Sequence, residues 1–317
     1  MMVRLRDFVE TKEHWIFSVV DYYCGGGARC LLRYVPGPDG ERVRDGIRYK
    51  KMGFDEAYAF IRENRPEYID GVMVVPFGDV MKHYQPHDGL VRILDTDRRA
   101  KKMVEALKGV EFESMGITGS KLVGLGAETS DVDFVVYGTE WYKARDALQR
   151  AIAARKIDAI DEAGWEKIYK KRKPELSFEE FYLHERRKGN RCLLDGVLTD
   201  LLFVRSWDQI GPRVPIGHSL GIKTITARVT DAEFAFDSPA IYQVRHPEIK
   251  AVLSFTHTYA GQALAGETIE ACGRMEEYPD GRVLVIGTSR EPKGEWIKSL
   301  TLLEKAEKNK NAGLKRP

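Results

Sequence analysis

Residues 116–138 read GITGSKLVGLGAETSDVDFVVYG. Two aspartates, Asp131 and Asp133, stand on either side of one valine at the head of a β-branched run, and the pair Gly119-Ser120 follows an earlier short apolar stretch. In an extended strand, residues two apart share a face, so both carboxylates leave the same side as Val135 and Tyr137. Carboxylates this close repel unless a proton or cation is shared, and an all-oxygen donor set suits Mg2+ or Mn2+. Gly119 lets the backbone approach a phosphate with no Cβ in the way. Ser120 opens a short helix whose free N–H groups and hydroxyl suit a triphosphate tail.

Working outward, DRRAKKMVEALKG (97–109) has a helical pattern with Met103, Val104 and Leu107 on one side and Gly109 as its C-cap. SMGIT is a short strand, VDFVVYG a second, and EWYKARDALQRAIAARK a helix; two further helices are expected around 165–171 and 177–187. In NRCLLDGVLTDLLFVRS, Asp195-Gly196 lies between apolar runs, a two-residue hairpin signal. Asp195 is then the turn, and Asp200 lies within the second strand, where an acid has no structural reason to be. Asp200 is the best third carboxylate for a metal clamp, with Asp195 in reserve. A surface strand position, or a cross-strand pair with Arg191, is the plain alternative for Asp200.

This pattern resembles the polymerase beta-type nucleotidyltransferase superfamily. Its hallmark is Gly-Ser, a Gly four residues after the Ser, then Ser-Asp-x-Asp with the first Asp about eleven positions beyond the motif Ser. Ser120, Gly124, Ser130, Asp131 and Asp133 fall in that register, and Asp200 stands on a later strand. LGAET departs from the family in lacking the Arg or Pro often seen between that Gly and the acids. The resemblance implies that Asp131 and Asp133 bind two metal ions, Mg2+ or Mn2+. Asp200 would bind the catalytic one and help activate an acceptor hydroxyl, and Gly119, Ser120, Lys121 and Ser130 would surround an NTP. The implied activity is transfer of a nucleoside monophosphate from an NTP to a hydroxyl, first an RNA or DNA 3′ end, with a protein or small-molecule acceptor as runner-up. A nucleic-acid-binding module without turnover is the reading from a different class.

The expected fold class is α+β, a nucleotidyltransferase-type mixed sheet with helices over 95–208. An N-terminal α+β domain over 1–94 and a C-terminal small β-sheet or barrel over 209–317 flank it. HWIFSVVDYY, ARCLLRYV and RYKKMGF are strand-like and FDEAYAFIRENR is helical; beyond Ser206, short β-branched runs alternate with turns such as YPDGR. A charged helix follows about Lys298, and NKNAGLKRP reads as a loose basic tail.

The chain has 317 residues, 43% apolar and 31% charged, with a net charge of +2, and no apolar run reaches the ~18 residues of a membrane span. No secretory h-region opens it, and Cys24, Cys30, Cys192 and Cys272 form no C-x-x-C pair. The expectation is a cytoplasmic protein with reduced thiols and no membrane partner. Arg29–Lys51 carries seven Lys/Arg against three Asp/Glu, and Glu166–Arg191 nine against five. Each reads either as a nucleic-acid or triphosphate groove, with Tyr34 and Tyr49 in the first for stacking, or as a solvated face. GHSLG (217–221) matches a nucleophile elbow by letter, but the β-branched IKTITARVT after it is strand-like where an elbow needs a helix. Pro86 between His83 and His87 removes the helix such a ligand pair needs.

Overall fold

The computed structural model describes residues 1–23, 25–211, 217–287, 289 and 293–312. Cys24, Pro212, Pro215 and the last five residues of the expected basic tail lie outside them. The chain is α+β and divides into two compact units, one of residues 1–159 and 190–213, the other of 160–189 and 214–317. The boundary read at 94/95 falls inside the first unit.

The first unit opens with β1 (Phe8–Thr11), β2 (Ile16–Val19), β3 (Gly27–Pro36), β4 (Arg42–Arg44) and β5 (Ile47–Lys51), then α1 (Phe54–Asn64). It continues through β6 (Ile69–Asp70), β7 (Val72–Pro76), β8 (Val80–Tyr84), α2 (Pro86–Ile93) and α3 (Arg98–Ala106). Sheet order is β4-β5-β3-β2-β1-β8, with β7 joining β3 and β6 joining β7. One face buries Phe17, Leu32, Met73 and Ile61; the other buries Phe8, Ile16, Tyr34, Tyr49 and Tyr84 together with Leu122, Val123 and Leu125. The Gly-Ser segment is thus core material for the N-terminal sheet. Pro86, expected to exclude a helix, starts one: at the first helical position its missing N–H costs nothing. α3 begins at Asp97, whose carboxylate caps the N–H groups of Arg99 and Ala100.

A second sheet follows. β9 (Met115–Ile117), the single-turn α4 (Gly119–Leu122), β10 (Val132–Tyr137) and α5 (Glu140–Ala153) come first; α6 (Glu162–Arg172) and α7 (Phe178–Lys188) intervene; then come β11 (Arg191–Leu194) and β12 (Val197–Val204). The order is β11-β12-β10-β9, with β10 and β12 parallel and the outer pairs antiparallel. Asp195 and Gly196 both have positive φ, 51° and 77°, the backbone a two-residue hairpin turn needs. β10 carries Val132, Phe134 and Val136 on one face and Asp133, Val135 and Tyr137 on the other, by strand alternation. Every one except Asp133 is buried, and Asp133, with part of its surface open, is largely enclosed by its neighbours.

α6 and α7 belong to the second unit. α7 starts with a capping box between Ser177 and Glu180 and ends at Gly189, φ 66°. Its remaining elements are β13 (His218–Asp231), β14 (Ala240–Arg245), β15 (Ile249–Ser254), β16 (Thr268–Tyr278), β17 (Gly281–Ile286), β18 (Trp296–Ser299) and α8 (Leu300–Asn311). The order β13-β14-β15-β17-β16 closes because β13 also pairs along β16, making a five-stranded barrel; β18 adds to the free half of β16. Ile225, Val229, Tyr242, Val252, Leu284 and Ile286 are all buried. Ser219 lies on β13 with strand continuing beyond it, so the elbow letters carry no elbow. No helix among the described residues is long and apolar enough to cross a membrane.

Candidate active site

Parallel pairing sets Asp133 of β10 directly beside Asp200 of β12. Neighbouring strands run about 4.8 Å apart, so the two carboxylates leave one face as near neighbours. Asp131 is exposed at the entrance to β10, two residues upstream. The geometry acts on Asp133: burial, then the charges of Asp200 and Asp131, push its carboxyl from 3.8 up to about 6, against the opposing pull of Arg6 and Arg33. Gly119, at φ +68°, sits against this carboxylate so closely that a Cβ there would overlap Asp133 Oδ2. The glycine is required twice, by its left-handed backbone and by its neighbour.

Asp200 is held from the adjacent hairpin strand. Arg191 Nε donates to Asp200 Oδ1 at 2.6 Å, across the register pair Arg191↔Asp200. The cross-strand pair weighed from the sequence is therefore real, and it coexists with the placement beside Asp133. Among the described residues no group of three or more His, Cys, Asp or Glu forms a ready-made metal cluster. Carboxylates without a cation repel, and here Asp200 turns to the guanidinium. The hard-oxygen chemistry of Asp131, Asp133 and Asp200, and the raised pKa of Asp133, nonetheless fit a divalent cation.

The expected nucleotide-binding residues divide. Gly119 and Ser120 open α4 beside Asp133. Lys121 is instead paired with Asp97 of the α3 cap. Burial would raise the Asp97 pKa, but Lys121 and the N–H groups of Ala100 and Arg99 together outweigh it and lower the carboxyl. Ser130 Oγ accepts from the Ala127 N–H at 2.9 Å and from Arg42 Nη1 at 3.2 Å, which shapes the turn before Asp131.

The basic hairpin of the N-terminal sheet also divides. Arg44 reaches Glu10 (2.7 Å), Tyr49 (2.8 Å), Tyr84 (2.9 Å) and the Val123 carbonyl (3.1 Å), while Arg42 reaches the Leu125 carbonyl (3.4 Å). Tyr34 and Tyr49, read as stacking rings, are core residues. Arg33 and Lys51 face the acids: burial, then Arg33 and Arg42, lower the Lys51 pKa, while Asp131 and Asp133 act in the opposite sense. The sequence reading missed Arg33 and Lys51 as individuals, and weighed Arg191 only as an alternative to a site role for Asp200. Asp200, the fourth residue of its hairpin strand with Arg191 opposite, was the one local signal.

The second basic segment divides as well: Lys167, Lys170, Lys171, Lys173 and Arg186 are exposed, while Arg187 and Lys188 turn inward within their own unit. Arg187 binds Glu267 at 2.6 and 2.7 Å, and Lys188, nearly buried, binds Glu185 and the Thr258 carbonyl at 2.5 and 2.7 Å. These cations hold α7 in place.

Among known proteins, the uncharacterized protein MJ1086 of Methanocaldococcus jannaschii is 36% identical over 340 residues, spanning 94% of this chain and 99% of that protein. The chain belongs to the MJ1086 family. Coverage this complete on both sides takes in both units, so the carboxylate strands and the barrel lie within the shared length. No family model matches the chain, and no solved structure does.

Proposed function

We propose that this MJ1086-family chain is a metal-dependent nucleotidyltransferase of the polymerase beta type, moving a nucleoside monophosphate from an NTP to a hydroxyl and releasing pyrophosphate. The acceptor is an RNA or DNA 3′ end, in the cytoplasm. The observation that carries the proposal is the side-by-side placement of Asp133 and Asp200 with Gly119 seated on Asp133. A buried acid raised by two neighbouring acids is the arrangement a divalent cation relieves.

Asp131, Asp133 and Asp200 would hold Mg2+ or Mn2+, which, when bound, lowers the pKa of an acceptor hydroxyl and neutralises phosphate charge. The chain's own groups do the rest. At neutral pH Asp133 is mostly ionised, since its pKa of about 6 lies below. Arg191 orients Asp200. Gly119 and Ser120 leave room and N–H groups for phosphate oxygens, and Arg33 and Lys51 bring positive charge to the same carboxylates. The acceptor hydroxyl gives its proton to Asp200 as its oxygen bonds to the α-phosphorus, the bond to the bridging oxygen breaks, and pyrophosphate leaves with that electron pair.

The test is pyrophosphate release from each NTP with Mg2+ or Mn2+, supplied in turn with cellular RNA, DNA, protein and metabolites. Label is expected in nucleic acid, and Asp133→Asn or Asp200→Asn is expected to lower turnover by on the order of 1,000-fold with the fold retained. Label in protein or metabolites selects the other acceptor class. Release from no NTP with any acceptor, or full turnover in both variants, ends the proposal.

A further inference from the structure

On the barrel, Arg228 of β13 and Arg245 of β14 are direct cross-strand partners, and both are exposed. Side chains in such a pair stand roughly 5 Å apart, and like charges there are destabilising. No acid among the described residues forms an ion pair with either. A fold that keeps two guanidiniums opposed and uncompensated is most stable with an anion between them.

The surroundings specify the anion. The barrel is filled by its own side chains, so a ligand must lie on the outside. Thr224 and Thr226 alternate with buried residues along β13 and are exposed on the same face as Arg228, Gln243 is exposed on the same face as Arg245, and a register shift at Thr230 sets exposed Asp231, which forms no ion pair among the described residues, opposite Gln243. Next to Arg245 lies a groove of about 440 Å3, lined also by Thr230, His246, Lys250 and Arg282, of which Lys250 is paired with Asp280 and Arg282 with Glu277 at 3.1 Å. Its one carboxylate, Glu248, is taken up by Lys223 at 2.5 Å and Arg282 at 3.9 Å. At the far end of β15, Phe255 is 55% exposed. It shares the outer side with Leu253 by strand alternation, about 20 Å of strand from the arginine end. Phosphate-binding cations at one end and an exposed aromatic ring at the other, with Gln243, Ile241 and Leu253 on the strands between them, suit a single-stranded nucleic acid, whose bases are open to stacking.

We infer that the outer face of β13–β15 binds single-stranded nucleic acid, with Arg228 and Arg245 on the phosphate backbone and Phe255 under a base. This names the surface that holds the acceptor of the proposed transferase and so rests on that reading for its purpose. It is tested by binding alone, in EDTA and without NTP, so its failure and the failure of transfer are read separately. Fluorescence anisotropy with the full chain would use labelled oligouridylate, oligodeoxythymidylate and a duplex of about a dozen nucleotides, at about 50 and about 200 mM KCl. Single strands should bind, the RNA and DNA arms showing which sugar is preferred. Arg228→Ser with Arg245→Ser should weaken binding at least 10-fold and reduce the salt slope by about 1.4, the share of two phosphate contacts. Arg228→Lys with Arg245→Lys should keep most of the affinity, which separates lost charge from lost fold. Phe255→Ala should weaken binding several-fold with the salt slope unchanged. No binding at the lower salt, preference for the duplex, or unchanged affinity and slope in the double serine variant overturns the inference.

Discussion

Asp133 is the residue on which the reading turns, and its environment is measurable without substrate. Burial and the charges of Asp200 and Asp131 raise its pKa from 3.8 to about 6. Below about pH 3.8 it is protonated folded and unfolded, and contributes nothing to pH dependence. Between the two values the unfolded chain releases the proton first, so stability falls as pH rises; above about 6 the penalty levels off at on the order of 3 kcal/mol. Asp133→Asn should therefore stabilise the metal-free protein by 2 to 3 kcal/mol at about pH 7.5 and by almost nothing at about pH 4, measured by urea denaturation. An equal effect at both pH values would show that the carboxylate is not under charge strain. The acids were legible in sequence because a strand's two-residue period and the Gly-Ser spacing are local rules. The partnership of Lys121 with Asp97, and the approach of Arg33 and Lys51 to the acids, were not: each joins segments from separate elements, and no local pattern records that pairing.

At the scale of elements, β4 is a three-residue edge strand with an unexpected task. Its Arg44 ties Glu10 of β1, Tyr49 of β5 and Tyr84 of β8 to the Val123 carbonyl just after α4. Burial would raise the Glu10 pKa, but contacts with Tyr84, His14 and Arg44 outweigh it and the carboxyl is lowered. Glu10 is thus held charged in the interior, with 2% of its side chain exposed. Arg44→Ala leaves that charge without its guanidinium and should cost about 3 kcal/mol. Glu10→Gln with Arg44→Met, which removes both charges, should cost clearly less. A denaturation series over the two proteins checks this, and equal losses would mean that packing, not charge pairing, holds β4 to the Gly-Ser segment. Elements with strong local signals, such as the Asp195-Gly196 hairpin and α5, were legible. α2 was not, because Pro86 was weighed as a breaker when its position at the helix start makes it a beginning.

For the whole molecule, the α+β class followed from the alternation of strand and helix signals, and a small barrel was among the forms expected for the C-terminal segment. Its closure depends on β13 and β16 pairing over most of their lengths, far apart in sequence, and so is not a local property. Nor is the interleaving of the units: residues 160–189 leave the first unit between α5 and β11 and belong with the barrel segments. This organisation has a direct consequence for dissection. A fragment of residues 95–208, the segment that carries all the candidate site's acids, would lose Phe8, Ile16, Tyr34, Tyr49 and Tyr84, against which Leu122, Val123 and Leu125 are buried. It would also keep α6 and α7 without the barrel segments they belong with, leaving Lys188 without the Thr258 carbonyl and Arg187 without Glu267. Each large apolar side chain returned to water costs roughly 1.5–3 kcal/mol, and three such losses are comparable to the 5–15 kcal/mol by which a domain is stable. The fragment should show helical far-UV circular dichroism with no near-UV signal and a broad, non-cooperative melt, whereas the full chain should melt cooperatively with structured aromatic bands. A sharply melting 95–208 fragment with native-like aromatic signals would mean that the second sheet carries its own sufficient core, and that the N-terminal sheet is an attachment to the Gly-Ser segment, not part of its foundation.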